Sequence, residues 1–321
     1  MNPEHISPRF TNAVIICNPA NEHASNRAAQ IQKDLVRAKI IPNVIIRESR
    51  PKAVDYVDLL DEFDGINNNT AWVTVGGDGT FSNFAGSLPK SPIMVTPAGY
   101  ANDMAHMLSY YNTFAYPDAM LNNGRVTFLN PLEISWQNPN TKESGHDLAF
   151  GYWGLGLSGQ VAREQSHKQY RDKRDNMTPV GKFINSGNLI VKKSADTPSF
   201  EIVRGQNIHS RQEITVLNGQ RMAKKLRFND LKITENKFAL LEIDKGKIID
   251  MITVLGIAAT KGLNGLQIFS DSEEHRFKIG EGRFVCSQRD GDHYEDINIH
   301  GPGTEFAIKR SDKHVKVLTN R

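Results

Sequence analysis

The sequence has very little cysteine. Only Cys17 and Cys286 occur in 321 residues, one in each half of the chain. Two cysteines cannot form the set of disulfides on which small extracellular folds depend, so a disulfide scaffold is excluded. Low cysteine content is typical of proteins that stay in a reducing compartment, and we expect this protein to be cytoplasmic.

Long apolar runs are also missing. The most apolar window, IIDMITVLGIAA from Ile248, includes Asp250 and is far shorter than the roughly 20 residues of a membrane-spanning helix. The first residues, MNPEHISPRF, lack the apolar core of a secretion signal. We therefore expect any contact with a membrane to be peripheral, at the inner membrane surface.

No charge of either sign dominates the chain. Lys and Arg number 39 against 36 Asp and Glu, a net charge of +3, so bulk electrostatics do not indicate a nucleic-acid partner. Residues 163–193 form the one clearly basic segment. Two interpretations of it stay open: a patch attracted to anionic lipid headgroups, or an ordinary solvated helix face.

The N-terminal third alternates strand and helix patterns. Short apolar runs, each followed by a helical pattern, lie at residues 13–17, 43–47, 71–75 and 92–96. After the second run, Pro51 begins a helix whose inner face is predicted to carry Ala53, Val57 and Leu60. Strands that alternate with helices predict an open, mostly parallel α/β sheet with right-handed crossovers.

The pattern changes near residue 125. In RVTFLNPLEISWQ the apolar side chains recur at even positions, the period of a strand, and further short strand patterns fill the rest of the chain. They predict a mostly antiparallel β-sandwich or barrel. We therefore predict an α/β domain over residues 1–128 and a β-rich domain over residues 129–302. The last segment, about 303–321, is a candidate to pack back onto the first domain.

The apolar run at 71–75 ends in Gly76-Gly77-Asp78-Gly79-Thr80. At the carboxyl end of a parallel strand, glycines can adopt positive φ and let backbone N–H groups approach a phosphate, which the next helix N-terminus also favours. Asp78 fits such a site as a Mg²⁺ ligand or as a base for an attacking hydroxyl. Taken alone, however, the loop is better explained as a tight turn in which Asp78 caps its helix.

A second loop, residues 97–103, follows the run at 92–96 in the same way, with the sequence PAGYAND. Neighbouring parallel strands would bring Asp78 and Asp103 to one edge of the sheet. An N-cap role for Asn102 or Asp103 explains this loop equally well. The presence of both loops at neighbouring strand ends is the observation that favours a binding site.

Three segments then match a known family in order and at fitting distances. They are the strand end Asn18-Pro19, the GGDGT loop at 76–80 and the PAGYAND loop at 97–103. Over roughly residues 13–110 the chain resembles the catalytic domain shared by diacylglycerol kinases, sphingosine kinases and bacterial soluble lipid kinases. In the second half the segments AFGYWGLGLSGQVARE, ITVLNGQ and RDGDHYED resemble the family more loosely.

The resemblance implies an ATP-dependent kinase that phosphorylates a hydroxyl of a diacylglycerol-like or other lipid alcohol. ATP would lie between the α/β kinase domain and the β-rich acceptor domain. Asp78 would be the principal catalytic carboxylate, and Asp292 would be a second one from the β-rich domain. The phosphates of ATP would be bound by Asn18, Gly76, Gly77, Gly79, Thr80, Gly99, Asn102 and Asp103.

The resemblance also implies Mg²⁺ as a cofactor, with Asp78 and Asp103 as candidate ligands, and a transient membrane surface as the place of action. The oligomeric state stays open, with a homodimer as one option. Several positions depart from the family pattern. Ser82-Asn83 stand in place of Asn-Glu, Tyr100 stands in place of Thr, Asp292 stands where the family usually has Glu, and the Asn-Pro turn runs into Ala-Asn in place of Ser-Gly.

These departures leave two alternatives open. One is a non-catalytic nucleotide- or lipid-binding relative of the kinases, and the other is an enzyme like NAD kinase, which shares the GGDGT loop. The Asn-Pro turn and the PAGYAND loop favour the lipid branch. The segment GLGLSG at 154–159 superficially resembles a dinucleotide loop, but it lies in the β-rich half without a βαβ pattern, so we reject that function.

Overall fold

The chain forms two compact units, one made of Met1–Asn130 with Asp312–Arg321 and the other of Pro131–Ser311. The computed structural model describes residues 10–37, 39–64, 69–99, 102–108, 120–122, 124–166, 177, 185, 188–193, 197, 199–222, 226–244, 257–270, 272–280, 284–290 and 299–319.

Strands and helices alternate in the first unit. Its elements are β1 (Asn12–Cys17), α1 (Glu22–Arg37), β2 (Asn43–Glu48), a 3₁₀ turn (Ala53–Tyr56), α2 (Val57–Phe63), β3 (Thr70–Gly76), α3 (Asp78–Ala85), β4 (Ile93–Pro97), α4 (Asp103–Met107), β5 (Arg125–Leu129) and the last strand of the chain, β19 (Val315–Thr319). Within the described residues, six strands form one sheet in the order β2-β1-β3-β4-β19-β5. All neighbours are parallel except β19 and β5, so the predicted open, mostly parallel α/β sheet is confirmed.

The helices of this unit pack apolar faces on the sheet. In α1 the buried side chains Ala24, Ala28, Ile31 and Leu35 recur every three or four residues and form one face of the helix. The predicted face of α2 was wrong, because Tyr56 and Leu59 are buried while Val57 is 56% exposed. The 3₁₀ turn before α2 advances three residues per turn, so the buried face is shifted from its α-helical position.

The second unit is built mainly of antiparallel strands. Its elements are β6 (Leu132–Gln137), β7 (Ser144–Ala149), β8 (Tyr152–Gly156), α5 (Leu157–Ser166), β9 (Phe200–Arg204), β10 (Asn207–Leu217), β11 (Arg221–Met222), β12 (Leu226–Arg227), β13 (Lys237–Asp244), β14 (Gln267–Ser270), β15 (Glu274–Ile279), β16 (Val285–Arg289), β17 (Ile299–His300) and β18 (Glu305–Arg310). In the part of the chain that the structure describes, eleven of these strands form one sheet. The prediction of an antiparallel β unit after the α/β unit is confirmed.

This large sheet curls over a shared core. Four pairing steps separate β8 from β18 in the order β8-β10-β9-β15-β18, which is roughly 19 Å across a flat sheet. Yet the ring centroids of Trp153 on β8 and Phe306 on β18 are only 5.4 Å apart. Strands from opposite ends of the path therefore face each other, as the two layers of a sandwich do. No helix among the described residues has the length and apolarity to cross a membrane.

The GLGLSG segment forms the junction between β8 and α5. Gly156 has φ of +107°, a conformation that favours glycine. The N-terminus of α5 is occupied by the buried side chain of Glu213, which accepts hydrogen bonds from the Ser158 N–H at 2.7 Å and the Thr215 hydroxyl at 2.5 Å. A carboxylate already lies where a dinucleotide phosphate would bind, which supports the rejection of that function.

Burial raises the pKa of the Glu213 carboxyl from its ordinary 4.5 to about 7, and the hydrogen bonds from Thr215 and Ser158 oppose the rise. Because the folded-state pKa is the higher one, the protonated group stabilises the fold fully below pH 4.5, and this contribution is lost as the pH rises through 7. At about 1.4 kcal/mol per pKa unit, this change in the free energy of unfolding is at most about 3.5 kcal/mol.

We therefore expect Glu213→Gln to raise Tm relative to the wild type at pH 8 and to have no such advantage at pH 4.5, because Gln stays neutral and keeps an acceptor for the Ser158 N–H. Thermal unfolding from pH 4.5 to 8.5 measures this difference. Glu201→Gln, at an exposed position of β9, is the control and should show no such trend. A Tm difference for Glu213→Gln that is constant with pH would contradict the argument.

Candidate active site

Three strand ends meet at one edge of the first sheet. In the parallel pairing of β1 with β3, Cys17 lies opposite Val75, and in the pairing of β3 with β4, Gly76 lies opposite Pro97. The residues that follow these three strands are therefore neighbours, and the strands before Asp78 and Asp103 are adjacent, as the sequence predicted. Open α/β sheets bind ligands at such carboxyl ends, where loops lead into helices.

The two glycine loops are in direct backbone contact. A Cβ added at Gly99 would lie 2.3 Å from the Gly77 Cα, a distance that real Cβ atoms do not show. A Cβ added at Gly77 would meet the Gly99 Cα at 3.4 Å, an ordinary contact. Positive φ, which the sequence suggested as one purpose of these glycines, is not found at either position. Gly99 is needed here because the two loops approach each other at this position without room for a side chain.

Asp78 joins the first loop to the second. Its Oδ2 accepts a hydrogen bond from the Asp103 N–H at 3.0 Å, and its Oδ1 accepts one from the Met104 N–H at 2.8 Å. Asp78 is the first residue of α3, but the N–H groups it binds belong to the first turn of α4. Asp78 therefore caps the neighbouring helix α4, a contact that the sequence did not predict. The catalytic role of Asp78 stays a prediction.

Asn102 closes the second loop. Its backbone is left-handed, with φ of +55°, which Asn tolerates better than most residues. The side chain binds the Gly99 backbone in both directions: Oδ1 accepts from the N–H and Nδ2 donates to the carbonyl, each at 2.9 Å. Asn102 occupies the N-cap position of α4 without a side-chain cap bond, because its side chain is already used in this pairing.

A third loop at this edge of the sheet follows β1. Asn18 forms a turn in which its Oδ1 accepts a hydrogen bond from the Ala20 N–H at 3.0 Å. Asn21, which the sequence reasoning did not identify, accepts from the Ala24 N–H at 3.2 Å and so caps α1. Its Nδ2 also donates to the Ala98 carbonyl at 2.8 Å, which links this loop to the second one. Asn21 stands directly before the first helical pattern of the sequence, and this position is the signal that could have identified it as a cap.

The N-terminus of α3 faces the same edge. Gly77 occupies its N-cap position and, having no side chain, supplies no cap. The first-turn N–H groups, with the positive end of the helix dipole, suit an anion at this point. Thr80 is buried, with its Oγ1 against the Cα of Gly76. Phosphate binding by Gly76, Gly79 and Thr80 stays a prediction.

The remaining predicted residues of the edge are largely buried. Asp103 begins α4 with only 2% of its surface exposed. Ser82 and Asn83, which depart from the family pattern, are buried on α3. Tyr100 lies outside the described residues.

In the second unit, the three segments that resemble the kinase family converge at a buried carboxylate. The Asp290 side chain accepts hydrogen bonds from the N–H groups of Phe150, Gly151 and Tyr152 at 2.6 to 2.9 Å. Asn218 donates to the Phe150 carbonyl at 2.8 Å. Asp290 follows β16, Tyr152 begins β8 and Asn218 follows β10, and these three strands are adjacent in the sheet. The hydrogen bonds therefore connect the three segments to one another.

Sequence reasoning missed Asp290 because it examined the later acid of the RDGD segment, Asp292. Asp292 lies outside the described residues, and its catalytic role stays a prediction. The signal that could have identified Asp290 is its place just past an apolar strand pattern, where a short acidic side chain readily accepts backbone N–H groups.

The donor set at the first sheet's edge fits a magnesium nucleotide. Among the described residues there is no cluster of three or more His, Cys, Asp or Glu side chains that could hold a metal by themselves. Mg²⁺ in kinases commonly takes only one or two carboxylates and fills its other positions with phosphate oxygens and water. Asp78 and Asp103 would be the carboxylates available near this edge.

One segment of the chain matches a known domain family, and the fold as a whole is similar to solved structures. Residues 12–127 match the family model described as the diacylglycerol kinase catalytic domain. A solved diacylglycerol kinase from Bacillus anthracis str. Sterne is 14% identical with a TM-score of 0.61, covering 97% of this chain and 98% of that one. Another structure from the same strain has a TM-score of 0.65 at 14% identity over the same shares. Yeast NADH kinase, complexed with NADH, is 12% identical with a TM-score of 0.53, covering 98% of this chain and 84% of that one. No curated protein matches.

The contact between the loops predicts different costs for two similar substitutions. We expect Gly99→Ala to lower the free energy of unfolding by about 1–3 kcal/mol, because its methyl group would force the loops apart. Gly77→Ala adds the same methyl group at an ordinary contact distance and should cost clearly less. Urea unfolding of both variants measures the difference, and equal costs would show that the two loops are not in contact.

Proposed function

Because residues 12–127 belong to the diacylglycerol kinase catalytic domain family, we propose that the protein transfers the γ-phosphate of ATP to a hydroxyl of a diacylglycerol-like or other lipid alcohol. The matching domain is that of a kinase, so phosphoryl transfer is the reaction class. The lipid acceptor, Mg²⁺ and action at a membrane surface are parts of the proposal.

The convergence of three loops at one sheet edge is the observation that supports the proposal most. Phosphoryl transfer needs the phosphates to be positioned and their charge to be neutralised, and it needs little covalent chemistry from the protein. Backbone N–H groups at the α3 N-terminus suit the phosphates, and the glycines at positions 77 and 99 let the two loops lie close together. Asn18 and the 76–80 loop would bind the phosphates from two neighbouring strands.

The acceptor hydroxyl needs a modest base, and we propose Asp78 as the principal catalytic carboxylate and Asp292 of the second unit as a second one. When bound, Mg²⁺ would neutralise charge on the phosphates. A lipid substrate would bring the enzyme to a membrane surface from the aqueous side. There are two alternatives. One is a kinase that acts on NAD, since the fold is also similar to that of yeast NADH kinase, and the other is a protein that binds nucleotide without catalysis.

Incubation of the protein with γ-labelled ATP, Mg²⁺ and either a total lipid extract or NAD tests the acceptor. We expect the label to enter the organic phase as a phosphorylated lipid, which mass spectrometry can then identify. Label that enters NAD alone would contradict the lipid proposal in favour of the NAD branch. Tight ATP binding with no labelled product would favour the sensor.

The position of the phosphates is tested by adding one negative charge at Asn18. Asn18→Asp keeps the oxygen that accepts the Ala20 N–H, so the turn is preserved while the local potential becomes more negative. We expect this variant to weaken ATP binding by about tenfold at low salt, since a carboxylate would repel the phosphates. Calorimetric titration with ATP measures the effect.

Asn12→Asp is the matched control. Asn12 lies at the other end of the same strand β1 and also offers a side-chain oxygen as an acceptor, to Asn43. The two positions are roughly 20 Å apart along the strand, well beyond the Debye length at ordinary salt. ATP affinity should therefore change less than about twofold in this control. Equal effects of both variants would place the phosphates elsewhere.

A further inference from the structure

The side chain of Asn21 connects the loop after β1 to the loop after β4. Its Oδ1 accepts a hydrogen bond from the Ala24 N–H at 3.2 Å, and its Nδ2 donates one to the Ala98 carbonyl at 2.8 Å. Residues 21 and 98 belong to loops that follow different strands, so the second bond is a tertiary contact and not part of a local turn. One side chain therefore caps α1 and also holds the start of this helix against a second loop.

The peptide groups of Ala98 join the strand ends of this edge. The Ala98 N–H donates to the Gly76 carbonyl at the end of β3 at 2.7 Å, and the Ala98 carbonyl accepts the Asn21 side chain. Ala98 is buried, with 6% of its surface exposed, so water has little access to these groups. A buried carbonyl that loses its donor is costly. The bond from Asn21 thus attaches the 18–21 loop to the ends of both β3 and β4.

The chemistry of the side chain explains why an asparagine suits this place. The position needs an acceptor for one N–H and a donor for one carbonyl, and the short amide of Asn offers both. Asp would cap the helix but would set a second acceptor against the Ala98 carbonyl. Ser would also cap the helix, but its side chain is one bond shorter and would not reach this carbonyl. Asn21 belongs to the Ala-Asn pair that departs from the family pattern, so the link comes from this chain's own sequence.

We infer that Asn21 is a positioning residue for the nucleotide: it holds the 18–21 loop, with Asn18, against the strand ends that carry the other two loops before ATP binds. This inference rests on the proposed function, which assigns the phosphates to Asn18 and the 76–80 loop. Asn21 does not need to touch ATP, because it acts through the loop that it holds. Without this bond the 18–21 loop must be ordered when ATP binds, and the cost of ordering weakens the affinity.

Asn21→Ser in the full chain tests the inference. Ser keeps a cap on α1 and adds no charge near the phosphates, so this variant removes the link to Ala98 alone. We expect Kd and KM for ATP to rise about three- to tenfold, the equivalent of one hydrogen bond. The kcat at saturating ATP should stay within about twofold of the wild type. In the free protein, amide exchange in the peptide covering residues 18–25 should become faster, because the loop has lost an attachment.

Gln32→Ser is the matched control. Gln32 lies on the same helix, and its Nε2 donates to the Val44 carbonyl of β2 at 2.9 Å, so this variant also loses one bond from a side-chain amide to a distant carbonyl. It lies roughly 16 Å from Asn21 along α1. We expect Gln32→Ser to lose at least as much thermal stability as Asn21→Ser, but to keep the ATP affinity and the exchange rate of residues 18–25.

Asn21→Ala separates the link from the cap, because it removes both. Its Tm should fall below that of Asn21→Ser, since Ala does not cap a helix, while KM for ATP should rise by a similar factor in the two variants. Wild-type ATP affinity in Asn21→Ser together with weakened affinity in Asn21→Ala would assign the effect to the cap and overturn the inference.

Two further results would also overturn it. An equal rise of KM in Gln32→Ser and Asn21→Ser would show that a general loss of stability explains both. Unchanged amide exchange at residues 18–25 in Asn21→Ser would show that the bond does not hold the loop, and this result overturns the inference alone. A wild-type protein that binds no ATP would instead contradict the proposed function, and the role of Asn21 toward the nucleotide would fail with it.

Discussion

The parallel pairing of β3 with β4 is the constraint on which the candidate site depends. Its register sets Gly76 opposite Pro97, so the two loops that follow start side by side. From there both loops turn into helices over the same edge, and they meet where Gly77 contacts Gly99. A shift of one residue in this register would move Asp78 away from the N–H groups that it binds. The site is therefore determined by the sheet as much as by the loops.

Short acidic side chains that accept backbone N–H groups recur in this protein. Asp64 binds the chain before β4, Asp78 binds the start of α4, and Asp290 binds three successive N–H groups before and at the start of β8. Each lies at a place where the backbone leaves or enters regular structure, and charge-assisted bonds of this kind are stronger than neutral ones. A carboxylate in a glycine-rich loop can thus serve structure and function at once, and only its partners show which role it has.

Sequence reasoning predicted the elements better than the contacts. The strands were found to within one residue at 13–17 and 43–47, because each is a short apolar run bounded by turn residues. The face of α2 was wrong at Val57, because periodicity could not reveal a 3₁₀ turn before the helix. Asn21 and Asp290 were missed because both act on residues that are distant in sequence: Asn21 on Ala98, and Asp290 on the chain at 150–152.

The sequence by itself determined the α/β unit, the β-rich unit after it and the kinase-type loops at neighbouring strand ends. These features follow from local periodicity and turn chemistry, which are written in consecutive residues. Only the tertiary structure decided that Gly99 allows the close approach of the two loops, and that Asp78 binds the start of α4. Hydrogen bonds between residues about 25 positions apart depend on the register and twist of the sheet, and no local pattern encodes those.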